Sequence, residues 1–155
     1  LANLYGVSKD ESKGITFRQL YGGVQLDYLH IPFFKKVSNF IDRLWIEFNQ
    51  SGWVKTPMGR KLKRENLRDI NQNKLFNYML QATETELNMV VLSKLSEYMS
   101  DKKSKIVLYT YDSYLLDIHP SEMDLIKDIK IFIDGDYTTN VEIGDDYSNM
   151  IKRTI

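Results

Sequence analysis

Lys9, Lys13, Phe17 and Tyr21 stand four residues apart, a spacing that commits the start of the chain to a helix with two unlike ends. A step of four along an α-helix drifts only about 40°. The four side chains therefore share one gently spiralling face about 18 Å long, at about 1.5 Å per residue. Ammonium groups occupy one end and aromatic rings the other, over a length that an extended nucleoside triphosphate could span. Ser8 and Glu11 form a Ser-x-x-Glu capping box that starts the helix, and Gly22-Gly23 stops it. The lysines thus lie in the first turns, where the helix dipole and free N–H groups favour anions. Ordinary amphipathic helices also carry lysines and aromatics at this spacing, so the ladder alone leaves both readings open.

Composition sets the outer bounds. With 155 residues, 43% apolar and 12% aromatic, the chain can bury the core of one modest domain or of two subdomains. No run is long and apolar enough to span a membrane, and no signal peptide is visible. The absence of cysteine excludes disulfides and thiolate metal sites and fits a reducing compartment. His30 and His119 are isolated from each other, which argues against a histidine zinc site. Net charge is zero, but its distribution is uneven. Residues 51–74 hold seven basic side chains against two acidic, and residues 112–146 hold ten acidic against two basic. A basic segment can neutralise phosphates and an acidic one can hold a cation. Either can also be a solvated face.

Further along, Pro32 suits the first turn of a second helix. Phe33, Phe34, Val37, Phe40, Ile41, Leu44, Trp45 and Phe48 follow a 3.6-residue period to Gln50, and that stripe reads as core. Trp53–Thr56, a Pro57-Met58-Gly59 turn and Arg60-Lys61-Leu62 read as a basic hairpin. From about Asn73 to Ser100 the pattern is helical, as one long helix or two end to end. Asn77, Gln81, Thr85 and Asn88 make a neutral polar stripe on it. Amides can donate to minor-groove acceptors that nearly every base pair presents alike; the same stripe would also serve as a solvent face. Lys105–Tyr111 and Tyr114–Ile118 read as two strands flanking Asp112-Ser113. A carboxylate at the tip of an apolar hairpin is held rigidly enough to bind a metal, although Asp also favours turns for local reasons. Pro120 opens a helix carrying Met123, Ile126, Ile129 and Phe132, and Thr139–Gly144 reads as a closing strand with an acidic tail.

Several of these segments resemble family-A DNA polymerases, the class of bacterial DNA polymerase I. Lys9-x3-Lys13-x3-Phe17-x3-Tyr21-Gly22 resembles the family's finger-helix motif, with Arg18 where the family has Gly. Gly52-Trp53-Val54-x-Thr56-x-x-Gly59-Arg60 is similar to its Gly-Tyr-Val-x-Thr-x-x-Gly-Arg segment. Asn77-x3-Gln81 resembles the Asn-x3-Gln of the primer-template helix, with Asn73 where an Arg usually stands. Tyr111-Asp112-Ser113 resembles the His-Asp-Glu hairpin and keeps only the central Asp. Val141-Glu142-Ile143-Gly144 resembles the family's end. The segments cover essentially the whole chain in the family's order.

The resemblance implies an α+β fold of finger helices (residues 1–72) and most of a palm (73–155). The palm would be a small antiparallel sheet with a metal-binding hairpin, packed by long helices. The implied reaction is template-directed nucleotidyl transfer with two Mg²⁺ ions. Asp112 would be the catalytic, metal-binding carboxylate. Lys9 and Lys13 would hold phosphates, Phe17 the sugar and base, and Tyr21 the template side. Arg60, Asn77, Gln81 and Tyr111 would contact DNA. The implied partners are primer-template DNA, deoxynucleoside triphosphates and the rest of the polymerase. A second Asp normally comes from an earlier Asp-x-Ser-x-x-Glu motif, and none occurs here. With Leu1 in place of an initiating Met, the chain is expected to be a fragment of a longer protein, inactive by itself. Its location would be cytoplasmic; the Lys-, Asn- and Tyr-rich composition suggests a phage source and hence a host cytoplasm. The alternative is a non-catalytic nucleic-acid-binding module with a polymerase-like body.

Overall fold

Among the described residues, four α-helices of two or more turns and six short strands form in the order expected from the sequence, with one unforeseen strand at the end. The computed structural model describes residue 2, residues 6–134 and residues 139–154. The helices are α1 (Lys9–Gly22), α2 (Pro32–Ser51), α3 (Gln72–Tyr98) and α4 (Leu125–Asp134). The strands are β1 (Trp53–Lys55), β2 (Lys61–Lys63), β3 (Lys105–Thr110), β4 (Ser113–Asp117), β5 (Val141–Ile143) and β6 (Ile151–Arg153). The segment expected over residues 73–100 is thus one long helix, Gln72–Tyr98, rather than two. The helix expected to open at Pro120 is instead a 3₁₀ turn, Pro120–Glu122, followed by α4. The anticipated small sheet is, among the described residues, three separate antiparallel ribbons, β1–β2, β3–β4 and β5–β6. β6 carries no apolar alternation that would have announced it: Ile151, Lys152 and Arg153 are all exposed.

The chain divides into two compact units, Leu1–Glu86 and Leu87–Ile155, and the division falls within α3. In the first, Ile41, Leu44 and Phe48 of α2 pack with Val54 and Leu62 of the hairpin and with Leu75, Phe76, Met79 and Ala82 of α3. Each large side chain so buried contributes about 1.5–3 kcal/mol. The α2 stripe is only partly core. Phe33 and Phe40 are 44% and 40% exposed, because eight apolar positions cover more of the helix than its neighbours can. Both lie on one flank and line an open cleft of about 890 Å³ with Lys36, Arg43 and Phe76.

A glycine and polar side chains close the end of α2 and the start of α3. Gly52 takes the left-handed conformation (φ 76°) after α2 and donates its N–H to the Phe48 carbonyl at 2.9 Å. Arg64 adds a second closure, donating to Asn49 Oδ1 at 2.7 Å with its guanidinium 4.4 Å from the Phe48 ring. At the start of α3, the Asn71 side chain accepts the Lys74 N–H at 2.9 Å.

In the second unit Leu95 of α3 and Met99 just after it meet Ile129 of α4, bordered by Ile106, Tyr114, Leu116 and Ile118 of the β3–β4 region. The register shifts between Ile106 and Leu108, and the irregularity leaves Val107 and Leu108 58% and 48% exposed. A polar clamp joins the chain before β3 to the 3₁₀ turn. Glu122 Oε2 accepts the N–H and O–H of Ser104 at 2.8 and 2.7 Å, and Oε1 accepts the Lys103 N–H at 3.1 Å. Ser104 is buried, and its Oγ also accepts the His119 N–H at 3.0 Å.

The Ser104 hydroxyl and N–H, with the Lys103 N–H, hold the Glu122 carboxyl down at about 2, against an ordinary 4.5. A depressed carboxylate stabilises the fold above its unfolded value and loses that effect as the pH falls through its folded one. The clamp's contribution is therefore complete above about pH 4.5 and lost toward about pH 2. Thermal unfolding of Glu122→Gln is expected to show its largest deficit near neutral pH and to converge with the parent near pH 2. A deficit that stays constant across this window would remove the charge from the account.

Candidate functional site

α1 is built as a surface-mounted helix whose inward face is polar. Its capping box forms as expected: the Ser8 side chain accepts the Glu11 N–H at 3.3 Å, and Glu11 Oε2 accepts the Ser8 N–H at 3.0 Å. The Ser8 hydroxyl and N–H hold the Glu11 carboxyl below its ordinary range. Ser12 and Gln19 face inward and are buried. Gln19 is satisfied by Gln25, accepting its N–H at 2.7 Å and donating to its Oε1 at 3.2 Å. This pairing folds the chain back after the helix.

The predicted ladder stands on the outer face. Lys9 and Lys13 are exposed, and Phe17 and Tyr21 are each 46% exposed. The Lys13 ammonium lies 5.6 Å from the Phe17 ring centre, within cation–π range. The Phe17 and Tyr21 rings are tilted neighbours 5.9 Å apart. Arg18 is also exposed. The result is a strip with cations beside the helix N-terminus and two half-open rings beyond them. Such a strip offers charge to phosphates and flat apolar surface to a sugar or base.

The basic hairpin presents a second surface in the same unit. Val54 and Leu62 pair across the ribbon and point into the core, so their neighbours point out. There the Trp53 ring lies between Lys55 and Lys61, whose ammonium groups are 5.4 and 4.3 Å from its centre. The turn is fastened by Thr56, whose buried hydroxyl accepts the Arg60 N–H at 3.0 Å, and by Gly59 at φ 97°. Arg60, Lys61 and Lys63 then border a cleft of about 350 Å³ with Tyr78, Gln81 and Thr85 of α3. The structure thus brings two expected DNA-contacting residues, Arg60 and Gln81, to one cleft. Asn77 does not line it. Its amide donates to the Tyr21 carbonyl at 3.1 Å, and Asn73 donates to the Gly22 carbonyl at 3.0 Å. The sequence assigned Asn73 no contact; a short amide in place of a long Arg was the signal that it reaches something nearer.

In the second unit, Tyr111 and Asp112 form the two-residue tip of the β3–β4 hairpin. Tyr111 is 89% exposed and sits at φ 49°, a left-handed conformation costing about 1–2 kcal/mol for a non-glycine residue. Asn88 of α3 braces it, donating to the Tyr111 carbonyl at 3.1 Å, while the Asn88 carbonyl accepts the Tyr114 hydroxyl at 3.1 Å. Desolvation, and then the neighbouring Tyr109, raise the Tyr114 pKa above its ordinary value. Asp112 is exposed at the tip. Ser113 is engaged within the turn, its Oγ 2.9 Å from Thr110 Oγ1 and donating to the Thr110 carbonyl at 3.1 Å. Among the described residues no three His, Asp or Glu side chains gather into a group that could hold a metal ion. No helix there is long and apolar enough to cross a membrane.

No family model matches the chain, and no curated protein matches it by sequence. Among solved structures, the POL domain of Pol1 from M. smegmatis, in complex with DNA primer-template and dNTP, is similar. The match has a TM-score of 0.59 at 18% identity and covers 88% of this chain. It covers 24% of that chain. At this identity the likeness is one of fold, and the fold resembles part of a polymerase domain.

The exposure of the α1 strip bounds what one lysine can contribute there. An exposed ion pair is worth up to about 1 kcal/mol, or about fivefold in affinity. Lys13→Ala is expected to weaken binding of a fluorescent deoxynucleoside triphosphate by about that factor, and less so as salt is raised. Lys36→Ala, which removes a cation from α2, should leave the titration unchanged. Equal losses from both variants would make the attraction non-specific.

Proposed function

We propose that the chain supplies fingers (residues 1–72) and most of the palm (73–155) of a family-A, DNA-directed DNA polymerase. The observation that carries this reading is the fold likeness to a POL domain bound to DNA primer-template and dNTP, extending over 88% of the chain. The finger-helix and hairpin motifs, which follow in the family's order, support it.

In this reading Lys9 and Lys13 hold the triphosphate by charge, aided by the dipole and free N–H groups of the α1 N-terminus. Phe17 packs on the sugar and base, and Tyr21 stands on the template side. Arg60 contacts the phosphate backbone, while Gln81 and Asn77 offer donors to the degenerate minor-groove acceptors, as suits an enzyme that must ignore sequence. Tyr111 meets the primer end, where an exposed ring on a braced turn can pack against a terminal nucleotide.

Asp112 is assigned as a Mg²⁺ ligand. Bound Mg²⁺ would polarise phosphoryl oxygens. One carboxylate does not make such a site, because Mg²⁺ takes several oxygen ligands in near-octahedral geometry. The described residues therefore do not fit the ion by themselves, and its other ligands would come from beyond them. The partners are primer-template DNA, deoxynucleoside triphosphates and the rest of the polymerase, in a cytoplasm.

Ser113 favours a second reading, a nucleic-acid-binding module without catalysis. Its hydroxyl is engaged inside the hairpin turn, and it carries none of the charge of the Glu that the family places there. Primer extension by the complete gene product separates the two. In the enzyme, Asp112→Asn is expected to abolish extension while primer-template binding survives. Extension at near-parental rate would reduce Asp112 to a turn residue.

Phe17 allows a finer test. Family-A enzymes with Phe at this place discriminate against nucleotides lacking the 3′-hydroxyl, and those with Tyr accept them. A tyrosine hydroxyl can replace the missing polar partner, whereas leaving a group unsatisfied costs about 1–3 kcal/mol. Phe17→Tyr is expected to raise dideoxynucleotide incorporation several-fold to about a hundredfold, with normal incorporation nearly intact. Competition between dideoxy and deoxy substrates measures this, and equal selectivity would take Phe17 away from the sugar.

A further inference from the structure

The last turn of α1 ends without an ordinary cap. Gly23 follows it at φ 93° and ψ 147°, outside the left-handed helical basin, and no basic side chain occupies the last turn. The final carbonyls of a helix then need donors from elsewhere. Two arrive from α3, 51 and 56 positions along the chain: Asn73 Nδ2 donates to Gly22 O at 3.0 Å and Asn77 Nδ2 to Tyr21 O at 3.1 Å. Only the NH₂ end of an amide can face a carbonyl, so both side-chain orientations follow from chemistry. Gly23 belongs to the same arrangement, since a Cβ there would stand 2.7 Å from Asn73 Nδ2. Asn77 Oδ1 is buried without a partner, so the amide is held for its donor rather than its acceptor.

We propose that Asn73 and Asn77 are positioning residues that clasp the C-terminal end of α1 and thereby set where Phe17 and Tyr21 stand. This rests on the reading of α1 as the triphosphate-binding helix. Tyr21 is itself one of the clasped residues, and Phe17 lies one turn before it with its ring against the Tyr21 ring. A helix end that frays would release that pair first. The clasp therefore acts on the aromatic end of the strip and leaves Lys9 and Lys13, near the capping box, in place. The Asn77 NH₂ carries a second hydrogen, so a contact to a base edge is compatible with the clasp.

Hydrogen exchange on the complete protein, without ligand, tests the clasp in peptides covering residues 16–23. Asn73→Ala and Asn77→Ala are each expected to speed exchange there by roughly two- to tenfold, the range that one net hydrogen bond gives. Peptides from residues 87–155 should be unchanged. Asn77→Asp, which keeps the shape and removes the donor, should reproduce Asn77→Ala, and Gly23→Ala should act by displacing Asn73. Titration with a fluorescent dATP analogue reads the positioning. The same variants should weaken binding roughly two- to tenfold, whereas Lys13→Ala should weaken it with exchange unaltered. Parental exchange in all four clasp variants overturns the clasp. Faster exchange with parental nucleotide affinity overturns the positioning role. A parent protein that binds no nucleotide overturns the reading of α1 on which that role depends, and exchange alone then decides the clasp.

Discussion

The apolar seam between α2 and α3 is the contact on which the first unit depends. Phe48 and Leu75 are fully buried in it, and the inward pair of the hairpin, Val54 and Leu62, closes it from one end. The candidate site residues of that unit are mounted outside the seam. The hairpin's alternation turns Trp53, Lys55, Lys61 and Lys63 outward because Val54 and Leu62 turn inward. Gln81 and Thr85 reach the basic cleft because Leu75, Phe76 and Met79 of the same helix turn into the core. Leu62 and Ala82 belong to both core and cleft wall, so burial sets the geometry of the cleft.

Where apolar packing is thin, polar side chains carry the tertiary joints. α1 buries Ser12 and Gln19 rather than a hydrophobic stripe; Leu20 packs on the core, and polar contacts to Gln25, Asn73 and Asn77 complete its attachment. In the second unit Asn88 braces the hairpin tip and Glu122 gathers the backbone before β3. A net hydrogen bond is worth about 0.5–1.5 kcal/mol, less than a buried leucine or phenylalanine. Elements held this way are the ones that local opening reaches first. In the proposed function these are the nucleotide helix and the catalytic hairpin, which have to accommodate a changing substrate.

Much of the fold was legible in the residues, because the decisive signals were local. Ser8 and Glu11 marked the start of α1 and Gly22-Gly23 its end; the 3.6-residue stripe and Gly52 bounded α2; a Pro-Met-Gly turn separated β1 from β2. The tip read at Asp112-Ser113 lies one residue earlier, at Tyr111-Asp112, because Ser113 pairs with Thr110. Other misreadings were non-local. Phe33 and Phe40 carry the period of a core but lie on a flank that their neighbours cover only in part. β6 is a strand only because β5 pairs with it. The Asn77–Asn88 stripe read as one surface, yet its members have separate duties, Asn77 on α1, Gln81 and Thr85 on the cleft, Asn88 on the hairpin.

Sequence alone determined the helix ladder of Lys9, Lys13, Phe17 and Tyr21, the outward cations of the hairpin, and a carboxylate at a two-residue tip. Each follows from spacing within a single element, where backbone geometry leaves one arrangement. Tertiary structure decided which of those side chains are neighbours and what holds them there. Arg60 and Gln81 come to one cleft, and Asn73 and Asn77 close a helix that ended fifty positions earlier. No periodicity encodes such joints, because a hydrogen bond between distant residues depends on how the intervening chain buries its apolar surface.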